Sequence, residues 1–105
     1  MWAKGNVMDI QIQHQGSDLL ISLTGRLDAN TSGDLQNAVD NESEYESITI
    51  DFCSLEYISS AGLRVLLSIH KNCLANNTPL TILNCNDIVK DVFNMTGFSD
   101  VLNVE

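Results

Sequence analysis

The hydrophobic period of this chain switches repeatedly between two residues and about 3.6, and that switching constrains its fold more than any other feature. Met8, Ile10 and Ile12 alternate with Asp9, Gln11 and Gln13, the signature of a half-exposed strand. Gln15-Gly16-Ser17-Asp18 has turn chemistry, and Leu19, Ile21 and Leu23 resume the alternation, which predicts a hairpin. Gly25 to Asn30 then leaves the strand as a loop, with Asn30 or Thr31 as cap of a helix whose apolar stripe is Leu35, Ala38 and Val39. The acidic stretch Asp40 to Glu46 reads as a solvated connection. Ile48, Ile50 and Phe52 alternate again, and Cys53 to Glu56 reads as a loop. Leu63, Leu66, Leu67, His70 and Leu74 recur at helical spacing, broadened by Val65, Ile69 and Cys73, which predicts the longest helix from about Ser60 to Ala75.

Asn76-Asn77-Thr78-Pro79 ends that helix, and Leu80 and Ile82 begin a short strand. Asn84 or Asn86 caps a third helix with Ile88, Val89, Val92 and Phe93 inward, stopped at Met95-Thr96-Gly97 by a left-handed Gly97. Val101, Leu102 and Val104 supply a last short strand. The order β-β-α-β-α-β-α-β implies an α/β fold: a small mixed sheet, antiparallel in its first hairpin and parallel thereafter, with three helices. Three helices cannot cover both faces of five strands, so part of one face should stay wet. At 105 residues the chain is read as one domain, with residues 1–7 a frayed lead-in.

Fourteen acidic residues against five Lys and Arg give a net charge of −9. Such a surface repels phosphate backbones and anionic headgroups, which argues against autonomous nucleic-acid binding and favours a partner with a basic docking face. No apolar run is long enough for a transmembrane helix or a signal peptide, so the expected location is cytoplasmic, without membrane insertion. Cys53, Cys73 and Cys85 form no CxxC pair and read as reduced thiols; neither a metal nor another cofactor is expected.

In an alternating α/β sheet, ligands and partners meet the loops at the carboxyl ends of strands. Two such loops are polar: Asp28-Ala29-Asn30-Thr31-Ser32 and Ser59-Ser60-Ala61-Gly62, which should lie near each other. Ser59 or Ser60 can cap the helix that follows, and a hydroxyl there could also carry a phosphoryl group at the electropositive helix end. No GxSxG elbow, activating His, GxGxxG fingerprint or P-loop accompanies these serines, so an enzyme is not expected. Arg64 and Ser68 point off the apolar stripe, while His70 reads as a half-buried histidine of the core. Met95 and Phe98 are expected in the core; they, Trp2 and Tyr57 could otherwise decorate a partner face.

Three segments, in order, carry a family resemblance. Leu23-Thr24-Gly25-Arg26-Leu27-Asp28 resembles the LxGxLD segment of the STAS domain. Asp51-Phe52-Cys53-Ser54-Leu55-Glu56-Tyr57-Ile58-Ser59-Ser60-Ala61-Gly62-Leu63-Arg64-Val65-Leu66-Leu67 is similar to its central signature, and Phe93-Asn94-Met95-Thr96-Gly97-Phe98-Ser99-Asp100-Val101 to its closing segment. A freestanding chain of this kind resembles the bacterial anti-sigma factor antagonists. The resemblance implies the STAS fold and a partner switch. By that resemblance the unphosphorylated protein would bind an anti-sigma factor that is also a serine kinase, the kinase would phosphorylate a serine and end the complex, and a serine phosphatase would reset it. By the same resemblance Ser60 is the phosphoacceptor and Asp28 the aspartate near it. The family often has Asp immediately before the acceptor; Ser59 stands there, a second candidate acceptor. The expected contact set is Asp28, Asn30, Thr31, Ser59, Ser60, Ala61, Gly62 and Arg64. Two other STAS roles stay open, an accessory subunit of a lipid-transport ABC ATPase and a scaffold that does not cycle.

Overall fold

A computed structural model describes residues 8–105; the expected lead-in and Trp2 lie outside the described residues. The elements are β1 (Met8–Gln15), β2 (Asp18–Leu27), α1 (Ser32–Asp40), β3 (Ser47–Ile58), α2 (Ser60–Ala75), β4 (Leu80–Leu83), α3 (Asp87–Thr96), a 3-10 turn (Phe98–Asp100) and β5 (Asn103–Val104). One sheet has the strand order β1-β2-β3-β4-β5, with β1 antiparallel to β2 and every other pair parallel. The expected mixed sheet with three helices is what the chain forms.

Register explains why the core lies on one face. Leu19 pairs with Ile48 and Ile21 with Ile50; Ile48 in turn pairs with Leu80 and Ile50 with Ile82. Paired residues point to the same side, so these aliphatic side chains form one apolar surface. Against it pack Leu35 and Val39 of α1, Leu63, Leu66, Ile69 and Cys73 of α2, and Val89 and Phe93 of α3. The opposite face stays half-exposed: Leu20, Ser22, Thr49, Asp51 and Thr81 line it, and Asp18 accepts hydrogen bonds there from Ser47 (2.7 Å) and Thr49 (3.2 Å).

β2 and β3 both run further than their sequence pattern suggests. The segments expected as loops, Gly25–Leu27 and Cys53–Glu56, are strand. The β2–β3 register slips by one residue between Ser22 and Thr24 and again between Gly25 and Arg26, each time with an extra residue on β3. One slip turns a strand's side chains over, and two restore them. The buried residues of β3 therefore change spacing, from Ile48, Ile50, Phe52 to Phe52, Leu55, Ile58. That break in the two-residue period is what imitates a loop. Gly25 sits at the irregularity with φ +107°, a backbone conformation that residues with a side chain rarely adopt.

Pairing of β3 with β4 ends at Asp51 and Leu83. Two asparagines take over along that edge. Asn84 donates to Asp51 Oδ1 (3.1 Å), which also accepts the Cys53 N–H (2.9 Å). Asn86 caps α3 by accepting the Val89 N–H (2.8 Å) and donates to Leu55 O (3.2 Å). Gly97 ends α3 at φ +80°, as expected. Three expected core residues are instead on the surface: Leu74 is 65% exposed, Ile88 59% and Met95 81%. Each sits on the outer side of its helix, where an apolar residue at helical spacing has no second layer to pack against. Phe98 does pack against the core, and His70 is half-buried.

Cys53 is exposed, whereas Cys73 and Cys85 are buried, and burial pushes the Cys85 thiol up to about 11 against the opposing pull of Lys90. In the native protein at mildly alkaline pH an aromatic disulfide reagent should label Cys53 quickly and the other two only at the rate of unfolding. Equal labelling of all three would contradict this packing. Replacing Asn86 with Ala removes both the cap and a bond to the β3 edge; urea unfolding should show a loss of about 1–2 kcal/mol.

Candidate functional site

Leu27 and Ile58 are register partners at the ends of β2 and β3. Asp28 and Ser59 follow them directly, so the two polar loops leave the sheet side by side, about 5 Å apart as neighbouring strands are. The expected meeting of these loops is observed. Backbone contacts tie them: the Ser59 N–H donates to Leu27 O at 2.9 Å.

α2 begins against that carbonyl. A Cβ placed on Gly62 would lie 2.7 Å from Leu27 O, 2.8 Å from Leu27 Cγ and 2.9 Å from Ile58 Cγ1. No side chain fits there, so glycine at this position lets the first turn of α2 press onto both strand ends. Ser59 is the cap: its Oγ accepts the Gly62 N–H at 3.3 Å and its carbonyl accepts the Leu63 N–H at 2.9 Å. Ser60 is the first residue of α2. It is exposed, and its hydroxyl has no hydrogen-bond partner among the described residues. Between the two serines the structure thus separates a capping role from a free hydroxyl. The half-buried Ala61 keeps the backbone beside that hydroxyl uncrowded.

The first loop is held from within. Thr31 Oγ1 donates to Arg26 O (2.7 Å) and accepts the Asp28 N–H (2.9 Å). Thr31 stands at the N-cap position of α1 but makes no side-chain cap; it is 2% exposed and ties off the loop instead. Asp28 Oδ1 accepts the Asn30 N–H (3.0 Å) and lies 3.3 Å from Thr31 Oγ1, while Oδ2 lies 3.6 Å from Arg26 Nε. The Arg26 guanidinium stacks on the Tyr57 ring, 4.4 Å from its centroid. The Asp28 carboxylate is therefore committed to its own loop. Of the eight expected contact residues, Asn30, Ser60 and Arg64 are exposed, Asp28, Ser59 and Ala61 are partly so, and Thr31 and Gly62 are buried. Those last two position the surface and do not form it. Arg26 and Tyr57 belong to the same surface; Tyr57 was expected as partner-face decoration, but their stacking depends on a register that the β3 bulges conceal.

Among the described residues no group of three or more His, Cys, Asp or Glu side chains comes together as a metal site, and no helix is long and apolar enough to cross a membrane. The site offers backbone, small side chains and a hydroxyl, an arrangement suited to docking.

Residues 9–105 match the family model of the STAS domain, and the chain belongs to that family. It is 23% identical over 100 residues to the anti-sigma F factor antagonist of Paenibacillus polymyxa, covering 92% of this chain and 86% of that protein. Among solved structures, an anti-sigma factor antagonist of Mycobacterium paratuberculosis superposes with TM-score 0.84 at 17% identity, covering 98% of this chain and 89% of that one. The phosphorylated form of the Bacillus cell fate determinant SpoIIAA gives TM-score 0.72 at 18% identity, covering 92% and 91%. A sulfate transporter family protein of Wolinella succinogenes gives 0.77 at 17% identity, covering 86% and 77%, so the fold serves more than one kind of system.

Gly62→Ala should cost about 1–3 kcal/mol in urea unfolding, because the added methyl meets a backbone carbonyl that cannot move aside cheaply. Ser60→Asp should leave stability unchanged or slightly raised, since a carboxylate in the first turn of a helix faces unpaired N–H groups.

Proposed function

We propose that this protein is a non-enzymatic, cytoplasmic anti-sigma factor antagonist whose docking surface is gated by phosphorylation of Ser60. The unmodified form binds an anti-sigma factor that is also a serine kinase, which frees the sigma factor for transcription. The kinase places a phosphoryl group on Ser60 and so ends the complex; a serine phosphatase removes it. The observation that carries this reading is the state of Ser60: an exposed hydroxyl with no hydrogen-bond partner among the described residues, on the first residue of a helix, beside a loop whose Asp28 and Thr31 side chains are already engaged.

The gate works through charge and size. A phosphoryl group adds about −1.5 to −2 charge at neutral pH and demands solvation. At the centre of a desolvated contact it removes the fit that the small Ser-Ala-Gly turn provides. A penalty of about 3 kcal/mol lowers affinity more than a hundredfold. The helix end tolerates the new charge, so the domain need not refold to switch. The relatives named as anti-sigma factor antagonists support the role, and the solved phosphorylated form of SpoIIAA supports modification within this fold. Ser59 is the less suitable acceptor, because its hydroxyl already caps α2.

The test is binding to the serine-kinase anti-sigma factor of the source organism. Ser60→Asp should lose at least a hundredfold in affinity while unfolding like wild type, and Ser60→Ala should bind normally yet resist modification. Undiminished binding by Ser60→Asp contradicts the gate. Capture of a lipid-transport ABC ATPase in place of the kinase would assign the domain to the accessory-subunit role, and kinase binding without modification would make it a scaffold.

A further inference from the structure

The charge of this protein is unevenly placed. Its fourteen carboxylates are absent from the whole segment 57–86, which holds α2 and β4. Within that segment stand Arg64 and Lys71. Ser60, Arg64, Leu67 and Lys71 are spaced by four, three and four residues, which places them within about 60° of one another around the helix axis. Ser60, Arg64 and Lys71 are exposed, and Leu67 is half-exposed between the two cations. Arg64, Leu67, Ser68, Lys71 and Asn72 line a shallow surface groove of about 270 Å³.

Neither cation is held by the fold. Among the described residues the ion pairs are His14 with Glu42 and Arg26 with Asp28, and neither involves Arg64 or Lys71. Their neighbours three and four positions away on α2 are Ser, Ala and Leu, so no intrahelical pair neutralises them. A protein with net charge −9 thus presents one uncompensated basic stripe, and that stripe begins at Ser60. The net charge points to a basic partner face, but the charge along α2 has the opposite sign.

From this geometry we infer that α2 docks an acidic segment of a protein partner along its length, with carboxylates about 10 Å apart matching Arg64 and Lys71 across two helical turns and an apolar residue between them on Leu67. The inference rests on the Ser60 reading for the identity of the partner, an anti-sigma factor, and adds the chemistry of the partner's surface. Opposite charges at the rim of a contact steer association and set its register, and salt screens them.

Two measurements test it. With the anti-sigma factor, Arg64→Glu combined with Lys71→Glu should weaken binding roughly tenfold or more and flatten its salt dependence, while Lys90→Glu on α3 should leave both unchanged. Wild-type affinity in the double variant overturns the stripe and leaves the Ser60 gate intact. Independently of any partner, a helical peptide with glutamates seven residues apart should shift the backbone amide resonances of residues 60–72 in the isotope-labelled protein. High salt, or glutamine in place of the glutamates, should abolish the shifts. Absence of shifts, or equal shifts with the glutamine peptide, overturns the inference. Failure of the wild-type protein to bind any serine-kinase anti-sigma factor overturns only the Ser60 reading, because the peptide experiment still decides the stripe.

Discussion

The close seat of α2 on the end of β2 is the contact on which the site depends. Gly62 lies where any Cβ would strike Leu27 O, and the same carbonyl accepts the Ser59 N–H. Those two contacts fix where the helix starts and which way its first residue faces. Ser59 is turned inward to cap; Ser60, one residue on, is exposed and makes no side-chain hydrogen bond among the described residues. A functional hydroxyl needs this division of labour, since a serine engaged in capping cannot also be offered to a partner without loosening the helix. Glycine in the first turn is therefore a packing requirement, and it leaves Ser60 placed for the modification proposed above.

The second loop shows the same economy. Thr31 and Asp28 spend their polar atoms on the loop itself, through Arg26 O, the Asp28 N–H and the Asn30 N–H. A rigid rim of this kind lowers the ordering cost of docking. It also assigns Asp28 a physical role: its charge sits on the loop beside the start of α2, but its geometry is set by its own neighbours. A phosphoryl group on Ser60 would enter a neighbourhood already holding that carboxylate, with Arg26 engaged in an ion pair and a stack.

Much of this was legible in the residue pattern, and the failures have identifiable causes. The alternation of periods locates every strand and helix, and the free φ required at Gly97 reads directly from its place after a helical stripe. The far half of β3 does not read as strand, because two bulges stretch its buried spacing from two residues to three. Leu74, Ile88 and Met95 mislead because periodicity reports spacing and not the presence of a second layer, and the helices here cover a single sheet face. At the site, residue chemistry left capping and function open for both serines. The structure assigns the cap to Ser59, through its bond to the Gly62 N–H. The basic stripe of α2 was hidden by the net charge, which averages over a surface where that helix carries two cations and no carboxylate.

The account stands on one hydroxyl, and site-resolved phosphate mapping interrogates it most directly. The wild-type protein, incubated with its serine-kinase anti-sigma factor and ATP, should acquire a single phosphoryl group, located by fragmentation mass spectrometry on Ser60 with Ser59 unmodified. A protein that stays unmodified while bound to the active kinase, or one that carries its phosphate on Ser59, would contradict it.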